Sequence, residues 1–186
     1  MKKPLYPALR RQSGASLIEV LIALLILSFG MLSLGGMLAY SIQMPKLAAY
    51  RATAANLAAG HIERMRANKT GFSNQSYRET MTYNTTLPTV VPCAYPACTP
   101  DTLATLDKDE TNRAIRRELP SSGMRLTCTG ACTAMAGDLW IIWTEPSTFA
   151  ALDAGESDEC PDPTTSPTFT AFTSPNPRCL HIRFQL

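Results

Sequence analysis

Between Val20 and Leu38 the chain runs 19 residues (VLIALLILSFGMLSLGGML) without a charge. As a helix rising about 1.5 Å per residue, that run reaches roughly 28 Å, close to the hydrocarbon thickness of a bilayer. It satisfies its own backbone hydrogen bonds and needs no polar surroundings, so it predicts a transmembrane helix. The first 14 residues hold Lys2, Lys3, Arg10 and Arg11 and no acid, and no comparable basic cluster stands close behind the run. The positive-inside rule then keeps the N-terminus in the cytoplasm and exports the chain beyond Leu38. These four cations exceed the net charge of +2, so the exported part is mildly acidic and is a poor candidate for binding nucleic acid. With 45% hydrophobic and 17% charged residues among 186, the chain is too apolar to be disordered and has the length of one domain plus an attachment.

A cleavable secretory signal is the competing reading, since Ala39-Tyr40-Ser41 offers small residues after the apolar run. The run is longer than the roughly 7–15 apolar residues of a signal peptide, and Glu19 stands at its entrance. A carboxylate at the edge of such a span is costly and wants a partner. Ser16-Leu17-Ile18-Glu19 fits an S-x-x-E capping box, which accounts for Glu19 as a helix start and nothing more.

The capping box does not account for Gly14-Ala15 behind a short basic leader. Gly14-Ala15-Ser16-Leu17-Ile18-Glu19 followed by VLIALLILSFG resembles the class III leader of type IV pilins and type II secretion pseudopilins. The resemblance implies that prepilin peptidase cuts between Gly14 and Ala15 on the cytoplasmic side and leaves the apolar helix on the mature protein. It also implies N-methylation of the new amine at Ala15, where the family most often has phenylalanine. Glu19 becomes the fifth mature residue, and in the family that carboxylate sets register against a neighbouring subunit's amine. Opposite charges attract far more strongly in a low-dielectric helix bundle than in water. Within one helix the same amine lies four residues from Glu19, so an internal pair is the alternative.

Pro45 is expected to interrupt or kink the helix. Beyond it, Leu47, Tyr50, Ala54, Leu57, His61 and Met65 recur three or four apart, which predicts an amphipathic segment to about Asn68 lying against a head. His61 reads as a packed helix residue rather than a ligand. The organisation expected is a leader at 1–14, a helix at 15–68 whose residues 20–38 span the membrane, and an exported head at 69–186. From Gly71 the texture changes to threonine, proline and short apolar runs, as in an antiparallel sheet with long loops. Met81, Tyr83, Thr85 and Leu87 alternate as a weak strand. Thr99 and Pro100 can open a helix with Leu103, Leu106, Ile115 and Leu119 on its apolar side. Stronger strands are expected at Met124–Cys128, Leu139–Thr144 and Leu180–Leu186, the second of them central and covered on both faces. The fold class is α+β and pilin-like.

Six cysteines suit the exported side, where thiols oxidise, and sequence alone does not choose their connectivity. Neighbours are the preferred pairs: Cys93 with Cys98 and Cys128 with Cys132 each bracket a turn-like segment, and Cys160 with Cys179 closes a proline-rich loop that resembles the C-terminal disulfide loop of many pilins. With only His61 and His181 available, a zinc site is disfavoured, and no metal or cofactor is implied. Asp153, Glu156, Asp158, Glu159 and Asp162 lack the regular spacing of a calcium loop and read as a solvated segment. Arg113, Arg116 and Arg117 are diluted by Glu110 and Glu118. No nucleophile elbow, P-loop, HExxH or dinucleotide fingerprint is present, so no catalytic residue is assigned.

Within the family, the order SLIEVLIALLILSFGMLSL, LWIIWTEP and CLHIRFQL looks most like a PilV-type minor pilin. That resemblance implies work with other minor and major pilins in priming or capping a type IV pilus at the inner membrane and later on the cell surface, with a tip adhesin as a further partner. A type II secretion minor pseudopilin is the closest alternative. A signal-anchored exported enzyme or DNA-binding module is the alternative of another class.

Overall fold

The structure is a computed structural model that describes residues 14, 16–80, 82–83, 86–87, 89–94, 96–145, 160 and 177–186. Two compact units divide the chain, one ending at Met44 and the other running Pro45–Leu186.

Helix α1 spans Leu17–Ala67. In the first unit every large apolar side chain from Leu17 to Ile42 is exposed, from 48% at Val20 to 79% at Leu17. No face is polar, so no soluble packing arrangement suits this stretch; a helix apolar all round belongs in lipid or among other helices. By length and composition it can cross a membrane. Pro45 does not end the helix, contrary to the break expected there. A proline costs about 3 kcal/mol in a helix interior. Strong helix formers on both sides, leucine-rich before and alanine-rich after, propagate past it.

The second unit is a small α+β head. The rest of α1 buries Ala54, Ala58, His61, Ile62 and Met65 there, one stripe at three-to-four spacing. Tyr50 and Leu57 are half-buried at its margin, while Ala48, Ala49, Ala52, Ala55 and Ala59 are exposed. A short α2 (Lys69–Ser73) comes next, with Asn68 as its N-cap accepting from the Gly71 amide. Gly71 is needed there: a Cβ would sit 2.6 Å from both the Asn68 Nδ2 and the Pro100 carbonyl oxygen. Helix α3 (Pro100–Glu118) opens with Thr99 as N-cap in a capping box with Thr102 and with proline in its first turn.

Three antiparallel strands form a meander in the order β1 (Gly123–Cys128), β2 (Ala136–Trp143), β3 (Arg178–Gln185). Leu126, Leu139 and Ile182 share one row across the sheet, and Met124, Ile141 and Leu180 the next. These rows face the helices and close a core with Met65, Phe72, Tyr77, Ile115, Leu119, Trp143 and Phe184. The stretch of β2 from Leu139 to Trp143 is central and covered on both faces. Ile142 and Cys179 form a second small cluster with Tyr83, Trp140 and Cys160 on the opposite side.

Two expectations fail in instructive ways. Of the weak strand, Met81 and Thr85 lie outside the described residues, and Tyr83 and Leu87 are not in a strand. What pairs instead is one bridge between Glu79 and Leu126, with the Thr82 amide then donating to the Met124 carbonyl. The chain crosses Gly123 so closely there that a Cβ on Gly123 would lie 2.6 Å from backbone atoms of Thr82 and Tyr83. On α3, Leu103 is exposed and Leu106 only half-buried. The buried side carries Ala104, Asp107, Thr111, Asn112 and Ile115.

Candidate assembly and processing site

Gly14, Ser16 and the first turn of α1 are described; Ala15 and the basic leader lie outside the described residues. The Ser16 carbonyl accepts from the amides of Glu19 and Val20, which starts the helix. Glu19 is the acidic residue of that first turn, where a carboxylate complements the helix dipole, and it is exposed with apolar residues on either side. Nothing lies within 4 Å of where a Cβ on Gly14 would stand. This short segment therefore offers an accessible backbone and one carboxylate, with no packing of its own to preserve.

All six cysteines are bonded to neighbours: Cys93 to Cys98, Cys128 to Cys132 and Cys160 to Cys179. Cys128–Cys132 ties the end of β1 to the β1–β2 connection, where Gly130, Cys132 and Met135 all have positive φ. Cys132 at φ 62° holds a left-handed conformation that a non-glycine residue adopts only under constraint. Cys160–Cys179 anchors the β2–β3 connection onto the second cluster of the sheet. At the foot of that connection Arg178 Nε lies 3.4 Å from Glu145 Oε2, a buried ion pair.

The head's polar chemistry sits between α1 and α3, where sequence patterning shows only a charged helix. His61 Nδ1 is 2.9 Å from Thr111 Oγ1, and that hydroxyl donates to the Asp107 carbonyl at 2.7 Å. Because the threonine proton is already used, His61 is the donor and carries its proton on Nδ1. Its Nε2 is buried and has no hydrogen-bond partner among the described residues. The Asp107 carboxylate accepts from the Tyr77 hydroxyl on one oxygen and from Arg64 Nη1 at 3.4 Å on the other. Arg64 also reaches Glu110 at 2.6 Å, and Asn68 Nδ2 donates to Tyr77 and to the Pro100 carbonyl.

Burial, with Arg64 and Lys108 nearby, lowers the His61 pKa to about 3. Burial, reinforced by its bond to Asp107, pushes the Tyr77 phenol up. Glu79, half-buried and 3.6 Å from Lys108 Nζ, is also pushed up by desolvation. Hydrogen bonds from Ser76 and Asn74 pull exposed Asp101 down.

The outward row of the sheet is Arg125, Trp140 and His181. The His181 ring stacks on Trp140 at 4.6 Å and Arg125 lies 5.4 Å over the same indole, while Asp138 pairs with His181 and Arg183. Among the described residues no group of three or more metal-ligating side chains gathers. The acidic residues Asp153, Glu156, Asp158, Glu159 and Asp162 lie outside the described residues. Arg113, Arg116 and Arg117 lie on α3, and Arg116 donates to the Thr82 carbonyl rather than standing as part of a basic patch.

A family model described as Type IV pilin Tt1218 matches residues 38–108. A second, described as the prokaryotic N-terminal methylation motif, matches residues 9–35 and so covers Gly14, Ala15, Glu19 and most of the apolar run. No curated protein and no solved structure matches the chain. With a methylation motif leading into a bilayer-length helix, and a pilin model continuing through α1 into α3, the chain belongs to the type IV pilin superfamily.

Proposed function

We propose that the chain is a minor pilin that prepilin peptidase cuts between Gly14 and Ala15 and that acts in initiating the pilus or in its tip complex. The observation that carries this reading is Glu19, an exposed carboxylate in the first turn of a helix that is otherwise apolar on every side. Cleavage after Gly14 creates an α-amine at Ala15 next to that carboxylate. When the amine is a neighbouring subunit's, the two charges neutralise one another in a helix bundle and fix the axial register. Ala15 is also the site of N-methylation in this reading, which leaves the amine cationic. The head stands in the periplasm and later on the cell surface, where the three disulfides persist. The protein works by assembly and not by catalysis; its partners are the peptidase, the inner membrane, other minor and major pilins and, at the tip, an adhesin.

The test is the intact mass and N-terminal peptide of the protein from membranes with and without prepilin peptidase, together with counts of surface pili. A start at Ala15 only with the peptidase is expected. Gly14→Val should block cleavage without disturbing the fold, since the position is open. Glu19→Ala should leave cleavage and the head intact but lower pilus number at least severalfold. A start after Ser41, or an unprocessed Met1 in both strains, would overturn the reading. Normal piliation with lost protein secretion would assign the chain to a secretion pseudopilin instead.

A further inference from the structure

The junction of α1 and α3 is an unusual seam for a head of this size. Where helix pairs normally bury leucine and isoleucine, α3 turns Asp107, Thr111 and Asn112 inward and contributes only Ala104 and Ile115 to the apolar core. The larger part of that core is carried by α1, α2 and the sheet, with Met65, Phe72, Leu139, Ile141, Trp143 and Phe184, while α3 meets the sheet at β1 and also packs against α2. Water can replace the polar bonds of α3 at modest cost, whereas it cannot replace the apolar packing of that core. At the centre of the seam His61 is only 1% exposed and spends its one N–H on Thr111.

We propose that this seam is an acid-sensitive latch: protonation of His61 on Nε2 releases α3 from α1 while the sheet stays folded. The charged and titratable groups that face the imidazole among the described residues fit that role. Arg64 on α1 and Lys108 on α3 are cations that repel a second charge. Tyr77 meets the ring edge-on at 5.8 Å with its hydroxyl already donated to Asp107. The Asp107 carboxylate is taken by Tyr77 and Arg64, Glu110 is taken by Arg64, and only the Asp107 backbone carbonyl is linked to His61, through Thr111. An imidazolium would therefore hold a second N–H with no acceptor in a buried, positively biased place. Moving α3 away gives that N–H to water.

The sign comes from where the proton binds. His61 is neutral in the closed seam and titrates near 6.5 once open. Closed-state stability is therefore complete above about pH 6.5 and is lost as pH falls below it, with the opening constant growing about tenfold per unit. Glu79, whose carboxyl is pushed up by partial burial against the pull of Lys108, is more readily protonated in the closed seam and so acts the other way.

The experiment is amide hydrogen exchange on the full chain in detergent micelles at pH 7.5 and 5, each rate corrected for the intrinsic pH dependence of exchange. Corrected exchange in α3 should rise about 30-fold while β2 amides change less than about threefold. His61→Asn keeps a donor for Thr111 but cannot titrate, and it should abolish most of the rise. In the wild-type protein the His61 ring resonances should show no titration step in the closed state above about pH 5. Equal acceleration in α3 and β2 would mean global unfolding and would overturn the latch. So would an unchanged α3, an undiminished response in His61→Asn, or a His61 ring that titrates near 6.5 with α3 still protected.

Discussion

Replacing Asp107 by asparagine tests the polar seam with almost no change of shape. The aspartate uses both carboxylate oxygens, one for the Tyr77 hydroxyl and one for Arg64, and it is 8% exposed. Asparagine has one acceptor oxygen and an amide with two N–H groups. If the oxygen faces Tyr77, the amide points at the Arg64 guanidinium. If it faces Arg64, the Tyr77 oxygen receives N–H groups from both Asn68 and the new residue, and its own proton has no acceptor. Either way one donor, the buried new amide or the Tyr77 hydroxyl, is left without an acceptor, a loss of about 1–3 kcal/mol. For a chain of 186 residues that corresponds to a fall in Tm of roughly 3–10 °C. The measurement is thermal unfolding of the full chain in micelles, monitored by near-ultraviolet circular dichroism at pH 7.5. Leu103→Ala, on the exposed side of the same helix, is the control and should change stability by less than about 0.5 kcal/mol. Tyr77→Phe removes the other half of the bond, and the double variant should cost less than the sum of the singles by about 1 kcal/mol. Asp107→Asn within about 0.5 kcal/mol of wild type would refute the claim that both oxygens are committed.

Other substitutions separate the remaining devices. Gly123→Ala places a methyl against the backbone of Thr82 and Tyr83 and should cost about 1–3 kcal/mol, read from denaturant midpoints. Glu145→Gln removes the charge opposite buried Arg178 and should destabilise the head by about 1–3 kcal/mol, with faster exchange at the start of β3. Cys160→Ser paired with Cys179→Ser opens the 19-residue separation they close and should cost about 3 kcal/mol, measured under non-reducing conditions.

How much of the fold was legible in the sequence differs by element. The apolar run declares itself because nothing else folds around so many uncharged residues, and the α1 stripe through Ala54, His61 and Met65 comes from helical spacing. The three strands were legible because β2 carries a dense apolar run while β1 and β3 alternate apolar with polar residues, each with a partner row across the sheet. The segment around Tyr83 misled because alternation alone reads as a strand, whereas here it serves a single bridge and a close crossing at Gly123. Helix α3 misled for a deeper reason. A hydrophobic-pattern reading assigns Leu103 and Leu106 to the core and Asp107 and Thr111 to water. The structure exposes Leu103, half-buries Leu106 and buries Asp107 and Thr111, because Arg64, His61 and Tyr77 provide the partners that make polar burial tolerable. Those partners come from residues some 30 to 50 positions away in the chain, and no local pattern announces them.

The division of the chain into two units changes how variants of this protein should be judged. The side chains between Leu17 and Ile42 are exposed along the first unit, so any burial of them comes from lipid or from other helices. The head, conversely, closes its own core from residues after Pro45. On the proposed reading, a change at Glu19 should thus alter filament register without moving the Tm of the head, and a change at Asp107 should move the Tm without altering the proposed amine–carboxylate pairing. If Glu19→Ala lowered the head's Tm by more than about 2 °C, the two units would share their stability. Glu19 would then have to be counted as a structural residue, and a loss of pili in that variant would no longer speak for a role in assembly.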